Sequence, residues 1–97
     1  MKWIEIIELR STGNTRKQLE KRIQEIIDHT EKKYEQSIIK LFTGMNIDTD
    51  LSIHLVHDSN EAKSRGSSLG IRLASALKFY GLVSHTIWIE KQKNSLT

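Results

Sequence analysis

The chain has 97 residues, with 15 lysines and arginines against 12 aspartates and glutamates, a net charge of +3 and no cysteine. That length suffices for one small core, since domains typically run from about 50 to 250 residues, and residues 1–97 read as a single domain. Without thiols there is neither a disulfide framework nor a thiolate metal site, a composition that fits a reducing cytoplasm.

The basic residues are spread along the chain instead of gathering on one face, which argues against a nucleic-acid partner. At the N-terminus, Met1-Lys2-Trp3-Ile4-Glu5-Ile6-Ile7-Glu8, two glutamates interrupt the apolar run before a signal segment or membrane span could form. Trp3 to Arg10 is rich in isoleucine and ends at Ser11-Thr12-Gly13-Asn14, a cluster of turn residues, so it reads as a first strand followed by a loop. Thr15 and Gln18 have the spacing of a capping box. Behind them Leu19, Ile23, Ile26, Ile27 and Thr30 form one helical stripe, with Arg16, Lys17, Lys21, Arg22, Glu25 and Lys32 left for water.

From Tyr34 to Thr43 β-branched and aromatic residues return, and Leu51 to Asp58 alternates cleanly, so these two segments read as a hairpin. Leu69, Leu73, Ala76, Leu77 and Tyr80 keep helical spacing after a polar stretch from Ser59 to Ser68, and Gly81 has the residue type expected to close that helix in a left-handed conformation. A last strand runs from about Ser84 to Glu90, and Lys91 to Thr97 reads as a frayed tail.

The resulting order, β-α-β-β-α-β, is that of an α+β domain with two helices on one face of a four-stranded sheet, because each short crossover returns on the same side. It resembles the ferredoxin-like fold, which implies an antiparallel sheet in the spatial order 4-1-3-2. One face of the sheet is then left without helices. Leu51, Ile53 and Leu55 mark the core row of the third strand, so Ser52, His54, Val56 and Asp58 face away from the helices; in the last strand Trp88 lies opposite the row of His85, Ile87 and Ile89. The first two strands leave both assignments open, Trp3, Glu5, Ile7 and Leu9 against Lys2, Ile4, Ile6 and Glu8, and Ile38, Lys40 and Phe42 against Ser37, Ile39 and Leu41. Either choice puts large apolar groups on the uncovered face.

Such a face exceeds what soluble monomers usually leave wet, and a second copy related by a two-fold axis is the simplest cover. The arrangement resembles the dimeric α+β barrel of the antibiotic-biosynthesis-monooxygenase-like proteins, which implies a homodimer enclosing a cavity between two sheets. In that setting His54, with Glu5 as a carboxylate neighbour, is the candidate catalytic pair, and Trp88, Val56 and Lys40 are candidate ligand-binding residues. Arg65, Ser67 and Ser68, at the start of the second helix, could hold a phosphate or carboxylate, although Ser67 or Ser68 as a plain N-cap is the simpler reading.

His54 and His57 are three apart on a strand and point to opposite faces, and no other spacing suggests a metal site. His57-Asp58-Ser59 cannot form a relay, which needs residues that converge in space. RNA-recognition domains share the element order but stack bases on aromatic residues of the first and third strands, and the third strand here offers Ser52, His54, Val56 and Asp58. Acylphosphatases carry a glycine-rich loop with an arginine after the first strand, which Ser11-Thr12-Gly13-Asn14 does not match, and an asparagine on the third strand, which is absent here; haem-degrading relatives of the monooxygenase-like group use an asparagine that the first strand lacks. What the sequence supports is a homodimer with a small ligand between its sheets and no cofactor. A cofactor-independent enzyme using His54, or a protein-interaction module, stands beside it.

Overall fold

In the computed structural model, residues 1–11, 16–30, 38–47 and 50–91 are described. The isoleucine-rich alternation at the start forms β1 (Lys2–Ser11), followed by α1 (Arg16–Thr30), β2 (Ile38–Thr43), β3 (Asp50–Asp58), α2 (Ser68–Leu77) and β4 (Gly81–Ile89). All four strands join one antiparallel sheet in the order β2-β3-β1-β4, the arrangement the element order suggested. Thr15 of the capping box, Tyr34 to Ser37 of the second strand, Asp48 and Thr49, the side chain of Thr30 and the tail beyond Lys91 lie outside the described residues. Among the described residues no helix is long and apolar enough to cross a membrane.

The helices cover one side of the sheet with the stripes read from spacing. Leu19, Ile23 and Ile26 of α1 are buried, and Leu69, Leu73 and Leu77 of α2, at i, i+4 and i+8, are wholly enclosed. They meet Ile7 and Leu9 of β1 and Leu51, Ile53 and Leu55 of β3. Each such side chain contributes about 1.5–3 kcal/mol through removal from water, so this layer is the main source of stability. The core row of β1 is therefore Trp3, Glu5, Ile7 and Leu9, and in β2 it is Ile39, in register with Leu55, that packs on the core.

Helix α2 ends four residues before Gly81. It caps at Lys78, and the chain turns through Phe79 and Tyr80, whose amides donate to Ala76 and Leu77 at 3.4 and 2.9 Å. Gly81 instead opens β4, in register with Ser11, where a Cβ would stand 2.1 Å from the Arg10 carbonyl oxygen. The glycine is required by the close approach of two strands, which sequence spacing alone reads as a helix stop.

Candidate functional site

The strand register arranges the helix-free face in rows that run across all four strands. Ile38, Val56, Ile4 and Trp88 make one wholly apolar row; next come Lys40, His54, Ile6 and Thr86, then Phe42, Ser52, Glu8 and Ser84, and finally Asp50, Arg10 and Leu82. Trp88 is 57% exposed and Ile38 55%. The first row is thus a greasy band open to water, because two helices can shelter one face only.

His54 sits in the middle of this face, half-buried, with Nε2 3.1 Å from Ser52 Oγ and its ring 4.5 Å from that of Phe42. Trp88 donates its indole N–H to Thr86 Oγ1 at 2.9 Å, which fixes the ring over the sheet. At the far end of the face from the apolar row there is a depression of about 450 Å³, between Phe42 on one edge strand and Leu82 on the other, with Glu8, Arg10, Asp50, Ser52 and Ser84 between them. Asp50 Oδ1 is shielded from solvent there and accepts no hydrogen bond; Arg10 Nε stands 3.8 Å away, an ion-pair distance.

The opposite, helix-covered face holds a polar cluster at Glu5. Its carboxylate is completely buried and is met from three elements: His57 of β3 through Nε2 at 2.5 Å, His85 of β4 through Nε2 at 2.8 Å, and Ser67 at the start of α2 through its amide at 3.0 Å and its hydroxyl at 2.5 Å. His57 and His85 are the diagonal cross-strand neighbours of Glu5, on the two strands that flank β1. Room for the carboxylate comes from two glycines: a Cβ on Gly66, which adopts φ +94°, would stand 2.4 Å from Glu5 Oε1, and one on Gly70 1.9 Å from it. Trp3 lies against His57 with ring centroids 4.2 Å apart and donates its N–H to Ser59 Oγ at 2.8 Å. An ionised carboxylate is an acceptor with about four lone-pair sites. Four donors converge on Glu5, and the positive end of the α2 dipole favours the same charge, so the group is partnered where an isolated carboxylate would be prohibitively costly.

Three expectations from the sequence change in this light. Glu5 and His54 point to opposite faces, so Glu5 cannot serve as the carboxylate neighbour of His54; the alternation that left β1 undecided resolves in favour of Glu5 inside. The anion position offered by Arg65, Ser67 and Ser68 is taken by the chain's own Glu5, with Ser67 acting as N-cap by accepting the Gly70 amide at 3.0 Å, while Arg65 and Ser68 stay exposed. His57, separated from His54 by the strand alternation, and His85, read only as part of the last strand, converge on one carboxylate. The signal for that convergence was three polar residues in the core rows of three strands, near two glycines at the start of a helix.

Trp88, Val56, Lys40 and His54 do share the helix-free face, in two adjacent rows. The histidines around Glu5 bind two different carboxylate oxygens at hydrogen-bond distances, and among the described residues no group of three histidines or carboxylates is arranged to hold a metal ion. Ser59 accepts from Trp3 and donates to the Glu61 carbonyl oxygen at 2.9 Å, away from any relay with His57 and Asp58.

No family model matches the chain, and no curated protein does. Solved structures do resemble it across nearly its whole length. Rv0793 from Mycobacterium tuberculosis has a TM-score of 0.69 at 14% identity, covering 96% of this chain and 98% of its own. A conserved protein from Methanosarcina mazei Go1 has a TM-score of 0.73 at 10% identity, with 94% of each chain covered. SnoaB, a cofactor-independent oxygenase from Streptomyces nogalater, has a TM-score of 0.62 at 12% identity, with 95% of each covered. The chain therefore has the ferredoxin-like α+β fold suspected from its order of elements, a fold it shares with these three proteins.

Proposed function

We propose that the protein works as a homodimer that joins two helix-free sheet faces and binds a small molecule between them. The observation that carries this reading is the continuous row Ile38, Val56, Ile4 and Trp88, open to water on a face that also contains a depression of about 450 Å³. Exposed apolar patches on monomers seldom exceed about 300–600 Å² and mark interaction sites when they do; a second copy covers the row with an identical row through a two-fold axis. Pairing two concave faces also turns an open depression into an enclosed one, and small-molecule sites are mostly apolar pockets of about 300–1,000 Å³ with a few polar groups. In this reading Trp88 and Val56 belong to the apolar row that the two copies join, and Lys40 and His54 stand in the row between it and the depression. The absence of thiols supports a cytoplasmic setting.

Light scattering on a size-exclusion column at micromolar concentration tests it: the expected mass is twice the 11.2 kDa of one chain. Trp88→Glu should give a folded monomer by circular dichroism. A monomeric parent protein, or a Trp88→Glu variant that remains dimeric, overturns the proposal.

A second reading, a cofactor-independent enzyme, is favoured by the position of His54 beside the depression with one ring nitrogen bound to Ser52 Oγ; SnoaB, with a similar fold, is described as a cofactor-independent oxygenase. There His54 would transfer a proton with no help from Glu5. Once a substrate is found, His54→Ala should lower kcat by about 10²- to 10⁴-fold, the usual contribution of a general base, and unchanged turnover would remove the enzyme reading.

A further inference from the structure

The depression lies at the opposite end of the face from the apolar row, and its chemistry differs from that row. Phe42 and Leu82 wall it from the two edge strands, Ser52 and Ser84 present hydroxyls between them, and Glu8, Arg10 and Asp50 bring two carboxylates against one guanidinium. Arg10 reaches Asp50 at an ion-pair distance of 3.8 Å, too long for a hydrogen bond, and Asp50 Oδ1, though shielded from solvent, accepts none. Glu8 is exposed in the same row as Ser52 and Ser84 and meets no ion-pair or hydrogen-bond partner among the described residues.

We infer that the depression is a binding site for a small organic amine whose ammonium group donates to Asp50 and Glu8 while its apolar body lies between Phe42 and Leu82. This rests on the proposed dimer, because pairing of the two faces removes the water that now solvates Glu8. An open carboxylate tolerates having no partner. A covered one does not, since the cost of desolvating a charge is offset only by a counter-charge or by donors. Arg10 supplies one positive charge to two negative ones, so a cation completes the balance where an anion would add to the excess. A neutral hydroxyl could donate to Asp50 Oδ1 but would leave the net charge uncompensated. The ring of Phe42 adds an attractive surface for an ammonium group.

The test compares two ligands with the same apolar body and opposite charge, phenethylamine and 3-phenylpropionate, each titrated calorimetrically to millimolar concentration into the full-length protein after its mass has been measured by light scattering. The dimer is expected to bind the amine at least tenfold more tightly than the carboxylate. Asp50→Asn should weaken amine binding by tenfold or more without changing the mass or the thermal melt. Should that variant fail to fold, Glu8→Gln, at an exposed position, carries the same expectation.

In a dimeric protein, failure to bind the amine, equal or tighter binding of the carboxylate, or unchanged amine affinity in the folded variant overturns the inference and leaves the dimer standing. Charge balance by Lys40 or Lys2 of a second copy is the rival that a lack of amine binding would favour. A monomeric mass overturns the dimer itself, and this inference with it.

Discussion

The two faces of the sheet invert the usual assignment of greasy and polar groups. On the helix-covered side a carboxylate, Glu5, is 0% exposed, yet four donors from His57, His85 and Ser67 satisfy it. On the open side Trp88, Ile38, Ile4 and Val56 form a row that no described element covers. The lesson is that burial and polarity do not locate function one residue at a time. A buried charge with a full set of partners is an anchor, here tying the start of α2 to the central strands, whereas the apolar row and the acidic groups of the open face are the parts that the proposed dimer and ligand would engage.

The strongest way to break this contrast is to remove the anchor. Glu5→Ala leaves two histidines and the start of α2 facing an empty polar hole and should cost about 3–5 kcal/mol, the range for breaking a buried charged pair; urea denaturation measures it, and a loss under about 1 kcal/mol would mean that the cluster is not what holds the helix to the sheet. Leu73→Ala, in the apolar part of the same layer, should cost about 2–5 kcal/mol through lost burial and the cavity it leaves.

Gly70→Ala sharpens the argument because the sign is at issue. Alanine is favoured over glycine within a helix by about 1 kcal/mol. Here the new methyl would stand 1.9 Å from Glu5 Oε1, and overpacking of about 1–3 kcal/mol should make the variant less stable, as read from its melting temperature. At the small end, Phe79→Ser should stay within about 0.5 kcal/mol of the parent, because Phe79 is 94% exposed on the turn after α2. A large loss there would show that the turn packs against something the isolated chain lacks.

The layered fold was legible because its signals are local. Leu69, Leu73 and Leu77 announce a helix by spacing, Leu51, Ile53 and Leu55 announce a strand by alternation, and short connections dictate that both helices fall on one side. The sidedness of β1 was not legible, because both of its rows mix isoleucine with glutamate. Only the neighbours decide that Glu5 points inward, and they lie 52, 62 and 80 residues away along the chain. The same distance in sequence hid the role of Gly66 and Gly70, whose missing side chains make space for an oxygen from another element.

By itself the sequence determined the element order, the two helical stripes and the presence of apolar groups on both sides of the strands, since these follow from periodicity and chain connectivity. The tertiary structure decided which carboxylate is enclosed, which histidines meet it, that Gly81 serves a strand and not a helix end, and where the open face is concave. Those outcomes depend on register between strands distant in the chain, where a shift of one residue exchanges the two faces.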